Sequence, residues 1–290
     1  MQFDIFNDSH SVAGRNDVIV ALQQCDAAAA HQAWQALGQH YPQDDCLAPF
    51  LVLIDAVAAR TVEPFHDHDA LRIARLALQS DITPAAHSGL GAAQATVWLR
   101  ARWQELAQRS APLAYRADHS EDHAAPLCLR AADWQAAAEA VAHIASWRRI
   151  PTPLSWMLHA QVRLHGLQAH WGLLAELAWL SPSRLYEVVT QSADPVLQPL
   201  VRTFEQNFEG LGDARDLAWF PAWLLTERPS LALHLAQAQA SQHSPPEQAM
   251  RLLVELLGLE RQGRHHDVIG HRKSLRDLHA PLYAAYMATR

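Results

Sequence analysis

Lysine is almost missing from this chain. Lys273 is the only one, and arginine carries nearly all the remaining positive charge. With histidine neutral the net charge is −7, an acidic balance that argues against general nucleic-acid binding. Glycine is also scarce, 11 of 290 residues, so the tight loops that cradle cofactor phosphates are hard to build. No Gly-x-Gly-x-x-Gly, Walker-type loop, Gly-x-Ser-x-Gly or His-Glu-x-x-His occurs. These absences make an enzyme unexpected and imply no cofactor.

Cys25, Cys46 and Cys128 are the only cysteines. They lie far apart, without a Cys-x-x-Cys, which fits reduced thiols better than a disulfide frame. Cys25 and Cys46 fall on apolar stretches and read as buried structural thiols. No uncharged apolar run reaches the length of a membrane span. The start, MQFDIFNDSH, has neither the basic beginning nor the apolar core of a signal peptide. A cytoplasmic protein is the expectation.

What is abundant is alanine, in a chain half apolar, and that combination favours helix over sheet. β-Branched residues never gather into alternating runs, so no strand is predicted. Asn16 and Asp17 are read as a cap for a helix carrying Val18, Ile19 and Leu22. Asp26 caps a second helix, in which Gly38 reads as the stop. Leu47, Phe50, Leu51, Ile54 and Val57 mark a third. Thr83-Pro84 opens a long helix to about Arg109, weakened at Gly89 and Gly91. Asp133, Thr152-Pro153, Pro182, Pro195, Asp213, Ser230 and Pro281 each open another.

The densest helical pattern is Glu247–Pro281. Leu252, Leu256 and Leu259 recur on one helix face with Leu253 and Leu257 beside them. Gly263 can take the positive φ that a helix C-terminus asks for. Val268, Leu275 and Leu278 then restart the period up to Pro281. Neither helix can bury its stripe alone, so the two must fold back on each other.

This unit resembles the tetratricopeptide repeat family, whose helix–turn–helix runs to about 34 residues. The resemblance rests on Leu252, Leu259, the Gln262-Gly263-Arg264 turn, Asp267, Leu275 and Pro281. Val268 stands near the family's small second-helix position. Trp34, Leu37, Gly38 and Tyr41 match the family's first-helix signature letter for letter. Pro42 follows at once, however, so this segment fits the second helix better, with Ala30 as its small residue. The pair from Pro153 to Pro182 is a third, shorter echo.

The resemblance implies an all-α chain: an irregular right-handed α-solenoid of tetratricopeptide-like pairs, with about 12–14 helices. The polar stretch 111–126 reads as a linker between an N-terminal helical region, 1–110, and a C-terminal one, 127–290. The two regions form either one continuous solenoid or two domains. The implied function is a non-catalytic cytoplasmic scaffold or adaptor that binds a protein or peptide in a helical-repeat groove.

Two clusters are candidate sites. Trp219, Phe220 and Trp223 surround Pro221 and cannot all share one helix face. They are candidate partner-binding residues if exposed, and ordinary core if the helix is buried on two sides. His119 and His123, in HSEDH, would lie one turn apart on a helix and suit a divalent metal. A third ligand would have to come from His66, His68 or Asp69. Histidine is frequent, 18 in 290, so the competing reading is a solvated linker. The basic run Arg261, Arg264, Arg272, Lys273 and Arg276 is interleaved with Glu260, Asp267 and Asp277. It therefore reads as a wet helix face, and nucleic acid is not an expected partner.

Overall fold

The computed structural model describes residues 4–191, 194–239 and 243–289, and all the regular structure among them is helical. No helix among the described residues is long and apolar enough to cross a membrane. The chain divides into two compact units, 1–136 and 137–290.

The first unit holds α1 (Asp4–Gln23), α2 (Ala27–His40), α3 (Leu47–Ala58), α4 (His68–Ala77), α5 (Thr83–Leu90), α6 (Ala92–Ser110) and α7 (Ala124–Arg130). Helix α8 (Trp134–Ala142) crosses the division. Successive helices pack on one another, α1 on α2, α2 on α3 and α5 on α6. The α1–α2 crossing is close because Gly14 carries no side chain: a Cβ there would stand 3.1 Å from Leu37. Asn16 and Asp17, expected to open this helix, lie inside α1. Gly38 does not stop α2 either, which runs on to His40. Trp34 Nε1 donates to the Leu47 carbonyl at 2.8 Å and fastens α2 to the start of α3. Asp26 does cap α2, accepting from Ala29 N at 2.9 Å.

The helix expected from Thr83 to Arg109 is broken in two. Gly91 takes φ +75° and separates α5 from α6, the left-handed region that suits glycine. Gly89 lies against Phe50, where a Cβ would be 3.1 Å from the ring. The 111–126 stretch lies within the first unit, and its buried Asp122 is held by Arg75 of α4.

In the second unit, α9 (Pro151–His165) and α11 (Pro182–Gln191) both pack on α10 (Trp171–Leu180). Helix α10 is buried from Trp171 to Trp179, Glu176 included, as a helix apolar on nearly every side must be. The chain continues through α12 (Leu197–Asn207), α13 (Phe220–Glu227) and the single turn α14 (Ala232–Leu235). It ends with α15 (Pro245–Arg261), α16 (His265–Leu278) and α17 (Ala280–Ala288). Gly263 ends the α15 turn at φ +70° as expected, and Pro281 falls in the first turn of α17. Helix α15 packs on α16, and α16 on α17. The chain is thus all-helical with many packed helix pairs.

Candidate functional site

The His-rich segments meet, but not as a helical ligand pair. His119 ends a short 3-10 turn, and His123 has extended backbone, φ −135° and ψ 155°, as the N-cap of α7. Their rings are therefore set to different tasks. His123 Nδ1 accepts from Ala125 N at 3.2 Å, while Tyr115 meets the His123 ring edge-on at 5.9 Å. His119 Nδ1 lies 3.3 Å from Asp122 Oδ2, and Arg75 Nε donates to Asp122 Oδ1 at 2.8 Å. His68 packs on the His119 ring at 5.2 Å and reaches the Ala114 carbonyl through Nε2 at 2.9 Å.

Of the three proposed third ligands, His68 alone is seen against His119; Asp69 pairs instead with Arg72 at 2.9 Å, and His66 is exposed. Burial, with His68 adding to it, pushes His123 down to about 4, which keeps its ring neutral. Among the described residues no three histidine, cysteine or carboxylate side chains converge as a metal set. This node is an interlocked polar cluster that ties α4 to the start of α7.

The aromatic trio lies mostly inside. Phe220 is 0% exposed and Trp223 3%, and Phe204 of α12 meets both rings edge-on at 5.5 and 5.4 Å. Trp219 is half-buried, packed on His279 at 4.3 Å, and Phe208 stacks on the other residues of this cluster. The three residues hold α12, α13 and the cap of α17 together. Only Trp219 keeps part of its surface in water.

Several basic residues at the start of α16 and along it meet counter-charges. Arg264 pairs with Asp267 at 2.6 Å, Arg272 with Glu260 at 3.0 Å, and His271 with Glu255 at 3.1 Å. The Tyr286 hydroxyl also donates to Glu260. Such pairing leaves little unopposed positive field for a polyanion.

The surface that stands out is the groove between α15 and α16. Met250, Leu253, Leu256 and Leu257 are buried on α15, whereas Leu252 and Leu259, expected in the core, are half-exposed. The apolar stripe of α15 is wider than α16 covers. Leu252 and Leu259 line an open groove of ≈ 970 Å³ together with Gly258, Gly270 and Ser274. Its edges carry the Glu255–His271 and Arg264–Asp267 pairs.

The two glycines differ from the others inside helices. A Cβ at Gly14, Gly89 or Gly172 would sit 3.1 Å from a packed neighbour. A Cβ at Gly258 or Gly270 would meet nothing within 4 Å. Packing explains the first three and leaves the last two unexplained. Sequence reasoning missed this pair, although two glycines inside helical stripes of a glycine-poor chain are a readable signal. No protein-family model matches the chain, and neither a curated protein nor a solved structure is found to be similar to it.

Proposed function

We propose that the chain is a non-catalytic cytoplasmic interaction module, built as a right-handed solenoid of tetratricopeptide-like helix pairs. It holds a segment of another protein in the α15–α16 groove. The observation that carries this reading is the pair Gly258 and Gly270. Each glycine inside a helix costs about 1 kcal/mol relative to alanine, and no neighbour among the described residues requires either one. Close approach of a second backbone is the remaining use for a surface without side chains. Leu252 and Leu259 supply an apolar floor, and the charged pairs at the edges supply a polar rim, the composition of a peptide-binding groove. The matching partner is an amphipathic segment with apolar residues on the groove side.

The expected result is a rise in stability with a loss of binding. Gly258→Ala with Gly270→Ala raises the unfolding free energy of the second unit by about 1–2 kcal/mol, measured by urea denaturation. A photo-crosslinking residue at Ser274, read in native cells, captures one protein. The same residue at Val97, exposed and apolar on α6, does not. Gly270→Trp, which fills the groove, abolishes the Ser274 adduct. A double alanine variant less stable than wild type would refute the reading. So would a Ser274 adduct that survives groove filling.

A further inference from the structure

Independently of the groove, the three cysteines sit in unlike surroundings. Cys128 is buried on α7, and burial with Asp133 pushes its thiol up to about 12. Cys46 is half-exposed, but burial raises its thiol also. Cys25, expected in the core, lies half-exposed in the α1–α2 turn at φ +58°.

Arg15 stands near Cys46, but at Cys25 an arginine touches the sulfur. Arg102 of α6 is only 8% exposed, and its Nη2 points at Cys25 Sγ from 3.5 Å. Two further nitrogens of the same guanidinium, Nε and Nη1, are buried without a hydrogen-bond partner. A buried donor left unmet costs about 1–3 kcal/mol, so the arrangement calls for an explanation. The charge is also incompletely balanced. Glu105 serves both Arg102, at 3.0 Å, and Arg60, at 2.5 Å, leaving two cations to one carboxylate. The guanidinium is braced over Trp98 at 5.2 Å, and Trp98 Nε1 donates to the Leu22 carbonyl at 3.3 Å, so α6 is tied to the end of α1 beside Cys25.

We infer that Cys25 is an oxidation site for hydrogen peroxide, and that Arg102 holds the oxidised sulfur. A partly exposed thiol in an electropositive setting is the kind that reacts. In the step, sulfur attacks one peroxide oxygen and the O–O bond breaks. An S–O bond forms, the sulfur loses two electrons, and the other oxygen leaves as water with the thiol proton. The product is a sulfenic acid. Its oxygen gives the Arg102 guanidinium the acceptor that the thiol supplies only weakly.

The test treats the full chain with dilute hydrogen peroxide in the presence of dimedone, which traps sulfenic acids. Adducts at each cysteine are followed by peptide mass spectrometry. In native buffer Cys25 labels roughly tenfold faster than Cys46, and Cys128 does not label. In urea the contrast collapses, because the three thiols then share one environment. Arg102→Gln brings the Cys25 rate down to that of Cys46, while Arg102→Lys keeps most of it. Equal native rates at Cys25 and Cys46 in the wild-type chain overturn the inference. An unchanged Cys25 rate in an Arg102→Gln variant with native circular dichroism does the same. If that variant fails to fold, the native-against-urea contrast in the wild-type chain decides alone.

Discussion

Arg75→Ala is expected to lower the unfolding free energy of the first unit by about 3–5 kcal/mol, the usual result of removing one partner from a buried ion pair. The pair is well enclosed, with side-chain exposures of 11% for Arg75 and 4% for Asp122. It joins residues 47 apart along the chain, so it fixes α4 against the turn that leads into α7. Without the guanidinium, the buried Asp122 carboxylate loses its ion pair and keeps the His119 contact at 3.3 Å. The neighbouring pair on the same helix is the control. Arg72 and Asp69 are 52% and 66% exposed, and Arg72→Ala should change stability by no more than about 0.5 kcal/mol. Replacing both buried partners, Arg75→Met with Asp122→Leu, should recover most of the loss, because no uncompensated charge then remains inside. Urea midpoints for the four proteins check the ordering. Equal shifts for Arg75→Ala and Arg72→Ala would show that the node contributes no more than a surface pair.

The contrast between these two arginines shows what a sequence can and cannot disclose. Arg72 and Arg75 both lie on α4, and nothing in their local sequence marks the second as the buried one. Its partner is 47 residues away. Features set by the chain's immediate neighbours were legible: the Asp26 and Asp133 caps, the Gly263 turn, and the prolines in the first turns of α9 and α17. Features set by packing were not. Gly38 lies inside α2, which runs on to His40, with Leu47 packed 3.6 Å from where a Cβ would stand. Asn16 and Asp17 lie inside α1, a helix that packs on α2. The periodicity of α15 announced an apolar face, yet it could not say that Leu253 would turn inward and Leu252 toward open space. The HSEDH histidines were singled out, and His68 was named as a possible neighbour. Their roles as cap and carboxylate partner required the turn geometry at 119–123, which a helical reading of that segment had excluded.

Acidification should unlock the same region through His123. Its ordinary value is 6.5, and in the folded chain it titrates at about 4, driven first by burial and then by His68. Between those values the unfolded chain binds a proton that the folded chain refuses, so stability must rise with pH across this window. The contribution is complete above pH 6.5, fades as pH falls, and is gone below about 4, where both states are charged. At about 1.4 kcal/mol for each pH unit separating the two values, the loss amounts to roughly 3 kcal/mol. Protonation also removes a bond. Nδ1 accepts from Ala125 N at 3.2 Å, and a charged imidazole has no lone pair with which to cap α7. His68, His119, Asp122 and Arg75 crowd the same node. The wild-type pH profile is therefore a sum over the node, and the informative quantity is a difference. His123→Asn keeps a side chain that ranks among the best N-caps and removes the titrating ring. Urea unfolding of both proteins from pH 4 to pH 7 should show the variant gaining on the wild type as pH falls. The gap should open below 6.5 and level off near 4. Parallel profiles would mean that His123 takes up its proton in the folded chain as readily as in the unfolded one.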